Sequence, residues 1–170
     1  HIERAAMTRK TTAYARRRAN SITRPLSDGI TMTRMHNTRL SPAEYNRIMD
    51  PCRAALAAFR SARATCQQWR VLCTAVHVAR AIEDGGVYRG QIEIIEDART
   101  ALESIRERMG NSPDTWRPSA CYAPEITALA DLVAAHARQL AELTYGEYTA
   151  AADKAVARVA SVRGQVIHFE

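Results

Sequence analysis

Apolar residues recur along this chain in steps of three and four, and the clearest run lies between Thr115 and Val162. Ile126, Leu129, Val133, His136, Leu140 and Leu143 fall on one face of a helix. Tyr148, Ala152, Ala155, Val159 and Val162 repeat the seam on a second helix. Between the two, Thr144-Tyr145-Gly146-Glu147 has the Thr-x-x-Glu form of a capping box, so a new helix starts where the old one stops. The spacing predicts a helical hairpin, which buries its seams only against more helices.

The preceding chain supplies them. Ser41-Pro42-Ala43-Glu44 combines a cap, a proline at the first helical position and a closing glutamate. Tyr45, Ile48, Cys52, Leu56 and Phe59 follow on one face, with Pro51 expected to kink this helix or divide it in two. Thr65-Cys66-Gln67-Gln68 opens the next helix, whose inner face is Trp69, Leu72, Cys73, Val76, Ala79 and Ile82, and Asp84-Gly85-Gly86 ends it. A third helix is predicted over 91–108, with Ile92, Ile95, Ala98, Leu102, Ile105 and Met109 inward and a charge-alternating outer face. The loop from Gly110 to Pro124 carries three prolines and Trp116. The short connections after the second and fourth helices predict antiparallel neighbours. The fold class is all-α: an up-and-down bundle of about five helices over 41–163, an irregular basic arm over 1–40 and a C-terminal tail over 164–170.

Composition refines this picture in two ways. Apolar residues are 46% of the chain but aromatics only 6%, so alanine fills the apolar share and helices should pack closely. No run approaches the roughly 18 consecutive apolar residues of a membrane helix, and no apolar block near the start suits a secretory signal. Charge is partitioned sharply. Residues 1–40 hold nine Lys/Arg against Glu3 and Asp28, net +7, while the remainder holds 15 basic and 16 acidic side chains, net −1. Because 22 of the 24 basic residues are Arg, genome composition is a competing source of the skew. The arm lacks periodicity and is too polar to offset its ordering entropy by burial, so it is expected to be mobile or pinned to something else. Its Arg, Ser and Thr would also suit an organellar transit peptide, and His1–Ala6, ahead of Met7, carry no argument.

Candidate chemistry is sparse. Cys52, Cys66, Cys73 and Cys121 form no Cys-x-x-Cys pair, which suggests reduced core residues in a cytoplasmic setting. Cys73 and His77, one turn apart, would supply two zinc ligands without a visible third, and His136 sits among leucines as a core histidine. The pairs Glu83-Asp84 and Glu96-Asp97 lie on helix surfaces rather than converging on a pocket. No nucleotide-binding, zinc-protease or nucleophile-elbow motif occurs, so no catalytic residue, metal ligand or cofactor is expected.

Two constellations remain. In the arm, Arg9, Lys10, Arg16, Arg17, Arg18 and Arg24 would neutralise phosphates and Tyr14 would stack on a base. An Arg-rich tail without specific contacts, or one pinned to acidic patches of its own bundle, is the competing reading. On the bundle, Trp116 with Arg117, and Tyr145 with Tyr148, would form a face that binds a protein. Trp116 as a plug at the end of the bundle is the commoner alternative.

The stretch from Gln68-Trp69 to Val159 carries QWRVLCTAVHVARAI, then TWR at Trp116, then EITALADLVAAHARQLAELTYGEYTAAADKAV. It resembles a loose group of small helical proteins from proteobacterial phages and mobile elements. The resemblance covers roughly half the chain, implies a bacterial, intracellular accessory protein, and supplies no functional residue. The expected function is thus a non-enzymatic, nucleic-acid-associated accessory or regulatory protein, possible as a homo-oligomer. The alternative is an adaptor or inhibitor of a host system that binds a protein through the bundle.

Overall fold

A computed structural model describes residues 36–164, with side chains to residue 160. It is an all-α bundle of five helices: α1 (Pro42–Arg60), α2 (Cys66–Gly85), α3 (Ile92–Met109), α4 (Ala123–Glu142) and α5 (Tyr145–Gly164). None of these is long and apolar enough to cross a membrane.

The helix starts follow the local sequence. Ser41 and Glu44 form a reciprocal capping box on α1, as do Thr65 and Gln68 on α2. At α5 the Glu147 N–H donates to Thr144 Oγ1 (3.3 Å), and the Thr144 N–H donates to the Glu147 carboxylate (2.8 Å). α2 stops where Gly86 turns left-handed (φ 75°), and α1 is followed by a left-handed Ala62 (φ 54°). Pro51 does not divide α1, which runs unbroken through it. The proline sits on the exposed side, so the Arg47 carbonyl that loses its donor faces water.

Packing joins α1 to α2, α2 to α3, α3 to α4 and α4 back to α1, with α2 and α4 also touching across the middle. These four helices close a ring around one core, in which Met49, Phe59, Leu72, Ile82, Ile95, Ile105, Leu129 and Leu132 are fully buried. Each such side chain contributes about 2 kcal/mol by leaving water. Ile92, expected inward at the start of α3, is exposed because the first turn extends past the core.

The predicted α4–α5 hairpin is corrected. Consecutive in sequence, α4 and α5 do not pack along each other; α5 turns away and lies along α2 instead. Leu143 between them is extended (φ −80°, ψ 146°), which redirects the chain at the corner. The buried edge of α5 is Ala151 and Ala155. Tyr148, Ala152 and Val159 are only half-buried, and the side chain of Val162 lies outside the described residues.

The corner is held by residues assigned from sequence to the arm. Leu40 N–H donates to the Leu143 carbonyl (3.4 Å), Tyr145 N–H donates to the Thr38 carbonyl (2.8 Å), and Arg39 pairs with Glu142 (3.0 Å). Residues 38–40 therefore belong structurally with the bundle.

Candidate functional site

Arg9, Lys10, Tyr14, Arg16, Arg17, Arg18 and Arg24, the expected phosphate contacts, lie outside the described residues. The protein-binding face expected on the bundle does not form as one surface. Trp116 is 7% exposed, its indole N–H donates to the Ala64 carbonyl (2.7 Å), and its ring lies 6.3 Å from that of Trp69. Trp116 is thus a plug just beyond the end of α1, unavailable as an exposed anchor. Gly110 sets up this loop. Its φ of 105° and the 2.6 Å from a would-be Cβ to the Thr115 carbonyl leave no room for a side chain. The Trp116 and Arg117 N–H groups then donate to the Ser112 and Met109 carbonyls. Arg117 is exposed but turns its guanidinium back onto the Asp114 and Trp116 carbonyls.

Tyr145 and Tyr148 lie at the other end of α1, beside the corner pinned by Thr38. Nineteen helical residues separate the ends of α1, about 28 Å at 1.5 Å per residue. Tyr145 is 40% exposed, whereas Tyr148 is half-buried, and burial pushes its hydroxyl pKa up. The four residues expected to act together are therefore split between two ends.

Several titratable groups of the bundle are committed to holding it together. Glu83 accepts the Gly90 and Gln91 N–H groups. Arg158 on α5, Asp84 and Arg80 on α2, and Glu96, Arg99 and Glu103 on α3 form one chain of ion pairs across three helices. Glu83, Asp84 and Glu96 are thus engaged by backbone N–H groups or arginines. Burial pushes the Cys73 thiol up to about 12, which makes it a poor thiolate. No group of His, Cys, Asp or Glu among the described residues is arranged to hold a metal ion.

His136 is a core histidine, 2% exposed, with Nδ1 at 3.4 Å from Gln139 Oε1. Gln139, also buried, donates through Nε2 to the Ala79 carbonyl on α2 (3.2 Å). Burial drives the His136 pKa down to about 4, partly opposed by Gln139. Sequence reading missed Gln139, although its place three residues after His136 puts it on the same seam. It also missed the role of Glu125. Glu125 is 7% exposed and takes a bidentate pair from Arg108 (2.6 and 2.7 Å), plus bonds from Ser104 and the Tyr122 N–H. Burial raises its pKa, but these donors outweigh it and the net shift is downward. Arg108 also lies over the Tyr122 ring at 4.4 Å, which joins α3 to the start of α4.

An apolar groove of about 370 Å³ lies between α2 and α5. Its walls are Ala152, Val156 and Val159 of α5, and its floor carries Thr74, His77 and the Tyr148 ring. His77 also lines a smaller cavity of about 220 Å³ on the α3 side, with Trp69, Cys73 and Arg106. Among the described residues α5 packs mainly along α2, and the groove lies along that contact. Comparison with protein-family profiles, curated proteins and solved structures gives no match for this chain.

Proposed function

We propose that the protein is a non-enzymatic, nucleic-acid-associated accessory protein of the cell interior, in keeping with its resemblance to phage and mobile-element proteins. The bundle acts as carrier, docking or dimerising, and the Arg-rich segment neutralises phosphates. The observation that carries this reading is the charge partition: net +7 over residues 1–40 against −1 over the rest. Further support comes from the bundle, where a set of arginines (Arg80, Arg99, Arg108 and Arg158) is paired with carboxylates of the same bundle. Binding through an arm of this kind releases counterions, so it weakens steeply with salt. The alternative, a protein-interaction module, requires a different face from the one Trp116, Arg117, Tyr145 and Tyr148 were expected to make.

The test is fluorescence anisotropy with duplex DNA and single-stranded RNA, for the full chain and for a chain starting at Asn37. Starting there keeps the residues that pin the α4–α5 corner. The full chain should bind and lose on the order of a hundredfold or more in affinity between about 50 and 200 mM salt. The shortened chain should bind neither. Equal binding by both chains would sink the proposal.

A further inference from the structure

The bundle has a charge partition of its own, apart from the arm. The α1–α2 connection, the last turn of α3 and the loop that leads into α4 meet at one end, around the two tryptophans. Trp116 bonds the Ala64 carbonyl, and its ring lies 6.3 Å from that of Trp69. Arg63 precedes Ala64, Arg70 follows Trp69, Arg117 follows Trp116, and Arg106 lines with Trp69 the cavity between α2 and α3. Arg60, the last residue of α1, belongs to the same end. Together, residues 60–70 and 106–125 hold six arginines against Glu107, Asp114 and Glu125, net +3. The other residues of 37–164 hold 10 basic and 12 acidic side chains, net −2. A genome-wide bias toward Arg raises the count everywhere; it does not gather the surplus at one end.

These arginines are also available. Arg60, Arg63, Arg70, Arg106 and Arg117 are all exposed. The first four make no ion pair and no side-chain hydrogen bond among the described residues. Arg117 donates only to the Asp114 and Trp116 carbonyls, so its charge stays uncompensated. Glu125 is taken by Arg108, which leaves five unpaired cations against Glu107 and Asp114. Because the five come from several segments of an exposed surface, an extended polyanion engages more of them than a small anion does. Each guanidinium offers the forked donors that a phosphate accepts.

We propose that the Trp69–Trp116 end of the bundle is a second phosphate-binding face, where these five arginines contact the backbone of a nucleic acid already held by the N-terminal arm. The inference rests on the arm reading above and adds a site to it. With net +3 against the arm's +7, the face is the weaker site and does not hold nucleic acid unaided. It lies at the far end of α1 from Thr38–Leu40, where the arm joins the bundle.

A 24-base-pair duplex, titrated by fluorescence anisotropy between about 50 and 200 mM salt, tests the face in the full chain. One variant carries Arg60→Gln, Arg63→Gln, Arg70→Gln and Arg106→Gln. A control carries Arg47→Gln, Arg89→Gln, Arg138→Gln and Lys154→Gln, the same loss of charge at exposed positions elsewhere on the bundle. Both should keep the wild-type melting temperature, since every position is exposed. Each phosphate contact contributes about 0.9 to the slope of log affinity against log salt. The face variant should therefore lower that slope by about 2 or more and weaken binding at 50 mM by about tenfold or more. The control should stay within about threefold of wild type, with its slope unchanged. A face variant that matches wild type in affinity and slope overturns this inference and leaves the arm reading standing. A control that weakens as much as the face variant overturns it too, because net charge and not this surface would then be read. Failure of the wild-type chain to bind the duplex overturns both.

Discussion

The α1–α4 ring and α5 are built from similar alanine-rich helical sequence, yet they are held by different means. Each helix of the ring places large side chains wholly inside: Phe59 from α1, Leu72 and Ile82 from α2, Ile95 and Ile105 from α3, Leu129 and Leu132 from α4. From α5 only Ala151 and Ala155 are buried among the hydrophobic residues, and Val156 is left 69% exposed. A buried large side chain contributes about 1.5–3 kcal/mol, a methyl-sized one well under half of that. α5 therefore depends on its ends: the Thr144–Glu147 capping box, the Tyr145–Thr38 bond and the Arg158–Asp84 pair. The ring should unfold as one unit, and α5 should open from it at lower cost.

The largest effect expected of any single change is on the ring, at Trp116. Trp116→Ala removes the plug and leaves the Ala64 carbonyl without its donor, for a loss of about 3–5 kcal/mol. Trp116→Phe keeps most of the ring volume and should cost roughly 1–3 kcal/mol, largely from the unpaired carbonyl. Urea midpoints measured by circular dichroism check both. An unchanged midpoint in the alanine variant would mean that the tryptophan does not plug the bundle.

The next effect is also confined to the ring and appears with pH. His136 has a pKa near 4 when folded, against about 6.5 in an unfolded chain. As pH falls through 6.5 the unfolded state takes up a proton that the folded state refuses, so stability is lost progressively down to pH 4. The shift corresponds to about 3 kcal/mol. Glu125 has the opposite sense. Its lowered pKa holds stability that is present above the ordinary carboxylate range and lost as pH falls through its folded value. Urea titrations at neutral pH and near pH 4.5 should show a steep drop in the wild type and a much flatter one in His136→Leu. If the two slopes coincide, the histidine is not the buried neutral group described.

How far the ring was legible in sequence follows from the same contrast. Capping boxes at Ser41, Thr65 and Thr144 are local devices, written in three or four adjacent residues, and all three form. Seams of large residues were also readable, because only one face of α2 or α3 could hide them. Which helix α5 would meet was not readable, since its seam is made of alanines on more than one side and two of its valines stay partly exposed. The short α4–α5 link pointed to a hairpin, but an extended Leu143 turns the chain away at that corner. Trp116 and Tyr145 were grouped because both are aromatic and near turns. Only the path of α1 shows that they lie at opposite ends. The α2–α5 groove had no sequence signal, as it exists through the placement of one helix.

The smallest effects test α5 itself. Thr144→Ala removes the cap side chain and should cost about 1 kcal/mol. Arg158→Ala should cost less than about 1 kcal/mol, since both partners of its pair with Asp84 are well exposed to solvent. Changes of this size barely move a urea midpoint, so native-state hydrogen exchange is the better probe. If α5 opens by itself, both variants should speed exchange at amides within 148–160, Thr144→Ala the more strongly, and leave the α2 and α4 core amides unchanged. Should core and α5 amides accelerate together, α5 unfolds only with the ring, and its two buried alanines hold it more firmly than their area implies.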